Sequence, residues 1–245
     1  MSIYALDDQF VPSLADAVVV HDADAPVSPE LRRRGTPHLD AVLARSSGTF
    51  DGPILALDRV DQGQIHAVRA GYFDMIATCD SLASDPELHA YASQLATPDP
   101  LRIGTGRAAA IGLSAVVVRG GVFTLGRRSD ALPLDPGRWH VVVSGTVDSR
   151  GAVGTLADEL SGEHGISGDV NARVIGLGFD LTRLRPELAV MTEDLGDIPP
   201  PEPGAEFVEF REIGLELGAL TAAWELDLTP AAAVAVAAVE RELQR

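Results

Sequence analysis

Apolar residues recur along most of the chain in short runs, separated by turns that contain glycine, proline or aspartate. Runs of this length, rich in valine, isoleucine and leucine, predict β-strands rather than long helices. We expect strands at residues 17–20, 54–60, 64–69, 109–118, 122–127, 141–143, 172–184, 187–194 and 207–213. Asp61-Gln62-Gly63 and Arg119-Gly120-Gly121 are typical of hairpin turns between neighbouring strands.

A few stretches carry the signals of helix ends. Ser28 and Thr229, each followed by proline, predict N-termini, because the hydroxyl accepts from free backbone amides and proline suits the first turn. Another helix is expected from Thr155, as its N-cap, to Gly165, whose left-handed backbone ends it. Strand and helix do not alternate as a doubly wound sheet requires, so the pattern predicts a mixed α/β fold.

The length of the chain allows one large domain or two small ones. At 245 residues, with 46% hydrophobic and 22% charged residues, the composition is typical of a globular protein with a substantial core. Residues 97–100 (TPDP) are the best candidate for an internal boundary. We therefore expect an α+β domain over residues 1–100 and a second domain over residues 101–245.

Charge and cysteine content exclude several classes of partner. The 36 acidic residues outnumber 19 Lys+Arg and give a net charge of −17, which repels nucleic acid and otherwise supports solubility. Apolar runs are shorter than a membrane span, and the N-terminus lacks the pattern of a signal peptide. The single cysteine, Cys79, is expected to be buried and chemically silent. A cytoplasmic protein without nucleic-acid or membrane partners is predicted.

The most informative stretch is residues 139–166, a β-branched strand that leads into a loop at Gly145 and then an acidic helix. Glu159 and Glu163 are four residues apart, so they share one face of that helix and repel each other unless a cation lies between them. Carboxylate oxygens of this kind are ligands that Mg²⁺ prefers. By spacing alone, a solvated acidic helix face explains the pair equally well.

This stretch resembles the signature of the Nudix hydrolases, G-x5-E-x7-R-E-U-x-E-E-x-G-U, where U is aliphatic. The matching positions are Gly145, Glu159, Leu160, Glu163, Gly165 and Ile166. The box is degenerate, since Asp158 stands where the family has arginine and Gly162 where it has the first glutamate of the pair. Residues 125–129 (LGRRS) and 136–139 (PGRW) resemble the segment that precedes the box in the family's sequences. The resemblance covers roughly residues 108–243.

The resemblance implies a Nudix α/β/α sandwich with an N-terminal α+β extension, a homodimer in many members, and hydrolysis of a nucleoside diphosphate-linked substrate with Mg²⁺ or Mn²⁺. It implies that Glu159 is a metal ligand or the catalytic base and that Glu163 is a ligand. Phosphate contacts would come from Arg127, Arg128 and Arg138. We expect another acid to replace the missing third carboxylate: Asp148, Glu187, Glu193 and Asp194 are the candidates, and Asp148 is the one assigned to the metal.

A narrower similarity concerns the substrate. Residues 50–53 (FDGP) and 72–74 (YFD) resemble the region that precedes the Nudix domain in the UDP-glucose diphosphatase-like subgroup, which implies a nucleoside diphosphate-sugar. An alternative stays open: the degenerate box has lost hydrolysis, and the domain binds a nucleotide or a protein or has been recruited to other chemistry. A third alternative is a purely structural acidic helix in an unrelated fold.

Other clusters have simpler explanations. His21 beside Asp22 and Asp24 suggests a metal group, but a strand end that leads into a solvated loop is the preferred interpretation. Residues 32–34 (RRR) are expected on a solvated helix face, although they could clamp a phosphate. His140 is expected to be hydrogen-bonded within the structure rather than to ligate zinc.

Overall fold

The computed structural model describes residues 6–7, 13–45, 48–95, 106–168, 170–196 and 204–245. The boundary predicted at residues 97–100 lies outside these ranges, as do residues 198–203. The division into domains 1–100 and 101–245 therefore remains a prediction.

Eleven strands and six α-helices lie in the described residues, with two short 3₁₀ turns at Leu14–Asp16 and Asp80–Ala83. The strands are β1 (Leu6–Asp7), β2 (Val18–Asp24), β3 (Pro53–Asp61), β4 (Gln64–Gly71), β5 (Gly112–Val116), β6 (Val122–Arg128), β7 (Trp139–Val141), β8 (Val143–Thr146), β9 (Ala172–Asp180), β10 (Arg185–Thr192) and β11 (Phe207–Gly214). The helices are α1 (Pro29–Arg45), α2 (Tyr72–Thr78), α3 (Pro86–Leu95), α4 (Gly151–His164), α5 (Leu217–Trp224) and α6 (Pro230–Leu243).

Every predicted strand is present, but several bounds differ for identifiable reasons. The strand expected at 172–184 ends at Asp180, because its carboxylate accepts from the backbone amides of Thr182 and Arg183 and so forms a turn. The strand expected at 109–118 contributes only Gly112–Val116 to the main sheet. Helix α5 was not predicted.

The main sheet has five strands in the order β1-β9-β10-β5-β8, in which only β10 and β5 run parallel. Helix α4 covers one face through buried Leu156 and Leu160, and α6 covers the other face. Helices on both faces of a mixed sheet confirm the α/β class and the predicted α/β/α layers.

A second sheet, in the order β11-β6-β7, lies against α6. Helix α6 is therefore enclosed between two sheets, and each residue from Ala232 to Val239 is buried. Thr229 caps this helix as expected, since its hydroxyl accepts from the amide of Ala232 (3.2 Å). The chain changes sheets at Val142, so the predicted strand at 141–143 is divided between β7 and β8.

The N-terminal part forms a third sheet, β2-β4-β3, which joins the main body through β3. The amide of Leu55 donates to the carbonyl of Val147 (2.9 Å), and the amide of Leu57 donates to that of Ala109 (2.9 Å). These bonds explain why residues 109–111 are not part of β5. They also place α2, which follows β4 directly, beside the end of β8. No helix among the described residues is both long and apolar enough to cross a membrane.

Helices α1 and α2 approach each other closely at Gly35. A methyl group at residue 35 would overlap the carbonyl oxygen of Ala77 in α2. Gly162, also inside a helix, has nothing within 4 Å of the position that its Cβ would take. The two glycines therefore differ in packing.

We expect Gly35→Ala to lower the free energy of unfolding by about 1–3 kcal/mol, because the backbone of two helices must separate. Gly162→Ala is the matched control and should raise it by up to about 1 kcal/mol, the difference in helix propensity. Urea denaturation followed by circular dichroism measures both. A Gly35→Ala variant as stable as the wild type would show that the helices can shift at no cost.

Candidate functional site

Helix α4 begins five residues earlier than the sequence predicted, with Arg150 rather than Thr155 at the N-cap position. It starts at Gly151, so Thr155 lies inside the helix and does not cap it. The buried hydroxyl of Thr155 instead accepts from the backbone amide of Asp148 (3.4 Å), which ties the loop after β8 to the helix. The predicted end is confirmed, since Gly165 has a left-handed backbone (φ 65°) and its amide donates to carbonyls of the last turn.

Glu159 and Glu163 lie one turn apart on the half-buried side of α4. The carboxylate of Glu159 occupies the space that a side chain at residue 145 would need, so a larger residue there would displace this carboxylate. Burial, and then the like charges of Glu163 and Glu206, raise the pKa of Glu159 to about 7. Burial and Glu206 also raise the pKa of Glu163. The helix thus presents two acids that repel each other at a partly desolvated position.

Asp148, the predicted third ligand, already has a partner. Its carboxylate accepts from the backbone amide of Arg150 (2.8 Å) and pairs with the guanidinium of the same residue (2.5 Å). These bonds lower the pKa of Asp148, chiefly through the side chain of Arg150. The same guanidinium also contacts Asp158, which occupies the position of the box arginine. Asp148 can therefore hold a metal only if Arg150 releases it.

The pair Glu159 and Glu163 fits a hydrated divalent ion rather than a complete protein cage. Over the described ranges, no group of three or more histidine, cysteine, aspartate or glutamate side chains is arranged to hold a metal. Mg²⁺ is nevertheless commonly held by one or two carboxylates, with water and phosphate oxygens at its other positions. A cation between these two acids would offset the charge of Glu163, which after burial is the next cause of the raised pKa of Glu159.

The resemblance assigned three arginines to phosphate. Arg127 and Arg128 lie on β6, and Arg138 lies in the loop before β7. Of the three, Arg128 lines a cavity beside Ser144 and Gly145. Each donates to a carboxylate, in the pairs Arg127–Glu209 (2.9 Å), Arg128–Glu206 (2.7 Å) and Arg138–Asp227 (3.1 Å). Their charges are therefore neutralised within the protein. A phosphate contact from any of them would have to compete with its acid.

A polar cavity of about 280 Å³ lies beside Ser144 and Gly145, and we refer to it as the acidic cavity. Its charged lining consists of the carboxylates of Asp80, Asp135, Asp180, Glu187 and Glu206 and the guanidinium groups of Arg128, Arg183 and Arg185. Because carboxylates outnumber guanidinium groups by five to three, the cavity favours hydroxyl or amine donors over additional phosphates.

Ion pairs hold the wall of the acidic cavity in place. Arg183 pairs with Asp180 (2.8 Å) and with Asp135 (3.0 Å). Asp80 is buried, and its Oδ1 accepts from Arg185 (3.1 Å), while its Oδ2 has no hydrogen-bond partner among the residues that the structure describes. Nothing in the sequence singled out Asp80, Asp135, Asp180 or Arg183, because no motif marks the segments that carry them.

Two buried groups with unusual pKa values line the same cavity. The carboxyl of Glu187 accepts from the hydroxyl of Ser114 (2.5 Å), and burial raises its pKa to about 7. His140 is bonded at both ring nitrogens, to Thr229 (2.6 Å) and to Ser144 (2.9 Å), which confirms the expectation of an internally bonded histidine. Burial lowers the pKa of His140 to about 3, so the ring is neutral.

Glu206 is an acid that the sequence did not single out. It lies just before β11, lines the acidic cavity through its pair with Arg128, and raises the pKa of both Glu159 and Glu163. It therefore links the acidic pair on α4 to the cavity. No local pattern marks it, because its role depends on its position beside Arg128 in the tertiary structure.

The strand end expected at His21 is wrong, because β2 continues through His21 and Asp22 to Asp24. Asp22 and Asp24 pair with Arg69, and His21 bonds to His66 (2.8 Å). Cys79 is fully buried, and burial raises its pKa to about 11, so the thiol is silent near neutral pH.

The ionisation of Glu187 should be visible in the stability of the protein. Its folded pKa of about 7 lies above the ordinary 4.5. The protonated carboxyl therefore contributes fully below pH 4.5, and its contribution is lost as the pH rises through 7. Glu187→Gln cannot ionise, so its stability relative to the wild type should rise over this window by on the order of 2 kcal/mol.

Urea unfolding at pH 5 and pH 8 measures this difference. Glu87→Gln, which removes an exposed carboxylate on α3, is the control and should show no such change. A difference between Glu187→Gln and the wild type that is the same at both pH values would contradict the assignment.

Comparison with known proteins adds the following. No protein-family model matches the sequence, and no curated protein matches it. A MutT protein from Methanosarcina mazei is 22% identical and covers 54% of this chain and 91% of its own, with a TM-score of 0.40. A Nudix hydrolase from Nitrosomonas europaea is 17% identical over 56% of this chain and 70% of its own, with a TM-score of 0.35.

A bifunctional NMN adenylyltransferase/ADP-ribose pyrophosphatase from Francisella tularensis, complexed with AMP and a manganese ion, is 8% identical over 70% of this chain and 49% of its own, with a TM-score of 0.42. The chain is similar to Nudix hydrolases: the sequence of its box resembles theirs, and Nudix hydrolases are among the solved structures that it resembles.

Proposed function

We propose that this protein is a hydrolase of a nucleoside diphosphate-linked substrate that works with a divalent metal ion, Mg²⁺ or Mn²⁺. The observation that carries the proposal is the half-buried pair Glu159 and Glu163 on α4. The carboxylate of Glu159 lies against Gly145, and its pKa is raised to about 7. Shifts of this size at a partly desolvated acid are typical of functional sites.

The acids have separate roles in this proposal. Glu163 and Glu159 hold the metal ion, which when bound screens the diphosphate and lowers the pKa of a water ligand. A bound cation would lower the pKa of Glu159 from about 7, whereas burial keeps raising it, and a general base works best when its pKa lies near the operating pH. Glu159 is therefore the preferred base when it is not fully committed to the ion. Asp148 completes the site only if Arg150 moves away.

The acidic cavity supports a sugar as the group attached to the diphosphate. It contains more carboxylates than guanidinium groups, and a hydroxyl-rich group can donate to a carboxylate oxygen that no guanidinium occupies, such as Oδ2 of Asp80. Arg128 could reach a phosphate at the mouth of the cavity by exchanging its bond to Glu206. A nucleoside diphosphate-sugar, with UDP-sugars as the first class to test, matches this division of charge.

A binding module without hydrolysis is the second candidate. It is favoured by Gly162, which removes one acid of the box, and by the pairing of Arg127 and Arg138 with acids outside the cavity. In that case the acidic cavity would still accept a ligand. The two candidates differ in turnover and in metal binding.

Glu159→Gln should reduce turnover by about 10²–10⁴-fold, the usual contribution of a general base. Release of sugar phosphate from UDP-glucose and from a panel of other nucleoside diphosphate-sugars, with Mg²⁺ or Mn²⁺, measures it. Glu87→Gln on α3 is the matched control and should keep the wild-type rate. Turnover that is abolished by EDTA but unaffected by Glu159→Gln would show that another residue is the base. A wild-type protein that neither turns over these substrates nor binds metal would favour the binding module.

Gly162→Glu should raise the affinity for Mn²⁺ several-fold, because it adds a carboxylate to the pair at a position where nothing blocks a side chain. Calorimetric titration with MnCl₂ measures the affinity. Gly162→Gln is the matched control, since it has the same size and a similar helix propensity but no charge. Equal affinity of the two variants would show that residue 162 does not face a metal site.

A further inference from the structure

A second cleft, of about 330 Å³, lies next to the acidic cavity, and we refer to it as the Phe50 cleft. The two spaces share Tyr72 and Thr146 in their walls, so they meet at the end of β8. Pro53 and Ile54 add apolar surface, and Asp148 is the charged residue of the lining. The Phe50 cleft and the acidic cavity are therefore neighbours at the end of β8, and the Phe50 cleft is the less polar of the two.

The side chain of Phe50 is exposed, while its loop is held in place. Phe50 exposes 76% of its surface. The amide of Tyr72 donates to the carbonyl of Gly52 (3.0 Å), and the amide of Phe73 donates to the carboxylate of Asp51 (2.9 Å). The aromatic ring lies over Gly52, where a Cβ would be 3.0 Å from its Cε2. A ring on an anchored loop costs little ordering free energy when a planar ligand stacks on it.

We propose that the Phe50 cleft binds the nucleobase of the substrate, stacked on the ring of Phe50, with the phosphates passing Thr146 toward Glu159. A single exposed apolar residue is common on protein surfaces and is no evidence by itself. Here the exposed ring belongs to an apolar cleft that adjoins the acidic pair. Among the described residues, the charged member of this lining is Asp148, which pairs with Arg150 (2.5 Å), so the lining offers no cation to a phosphate and the uncharged base is the matching group.

The arrangement fixes the direction in which a nucleoside diphosphate-sugar would bind. The base lies in the Phe50 cleft, the attached sugar lies in the acidic cavity, and Thr146 stands between them. This inference rests on the proposed function for the identity of the ligand as a nucleotide. It adds the prediction that the N-terminal part, through its loop at residues 48–53, supplies recognition of the base.

Measuring the affinity for nucleotides tests the proposed base site and does not require turnover. We expect UMP, CMP, AMP or GMP to bind the wild type in metal-free buffer, and Phe50→Ala to weaken the tightest of them roughly tenfold, the usual effect of removing an aromatic stacking partner. Phe50→Trp should restore or improve the affinity. Ribose 5-phosphate, which lacks a base, should bind equally to all three proteins. Calorimetry or saturation-transfer NMR measures each affinity.

Leu217→Ala, which shortens another exposed apolar side chain on α5, is the matched control and should leave the affinity for the nucleotide unchanged. Wild-type affinity in Phe50→Ala would overturn the inference, as would the absence of nucleotide binding by the wild type. Turnover of a nucleoside diphosphate-sugar with no dependence of KM on Phe50 would overturn this inference and leave the proposed function standing. Nucleotide binding that depends on Phe50, without any turnover, would support the inference and reject hydrolysis.

Discussion

The contact between Glu159 and Gly145 determines the geometry of the candidate site. A carboxylate is expensive to bury, and a second acid one turn away adds repulsion. The arrangement persists because Leu156 and Leu160 of α4 are buried against the main sheet and fix the position of the helix. Glycine at residue 145 then leaves the space that the acid needs. Apolar packing therefore holds two acids where their charge is not balanced.

The balance of charge in the surrounding residues has a consequence for ligands. The arginines near the site are engaged by carboxylates, as in the pairs Arg128–Glu206 and Arg150–Asp148. The protein therefore offers little free positive charge to a diphosphate at this position. A divalent cation on the acidic pair is the simplest way to make the region attractive to phosphate. This physical need is independent of the family resemblance, and it agrees with what that resemblance implies.

The N-terminal part contributes to the site because β3 joins the main body by backbone hydrogen bonds. The bonds of Leu55 and Leu57 to Val147 and Ala109 place the loop before β3 and the start of α2 beside the end of β8. Tyr72 consequently lies in the walls of both cavities. An extension that could have been a separate module instead forms one side of the candidate binding surface.

The sequence by itself determined most of the strands, the cap at Thr229, the end of α4 at Gly165 and the pairing of Glu159 with Glu163, since each depends on residues that are neighbours along the chain. It misplaced the start of α4, because Thr155 has the chemistry of a cap but its hydroxyl bonds to the loop amide of Asp148. Only the tertiary structure decided the change of sheets at Val142 and brought Asp80, Asp135 and Glu206 to one cavity. These contacts join residues that are distant in sequence, and they depend on the order of the strands and on how the chain connects them. Local periodicity does not encode either.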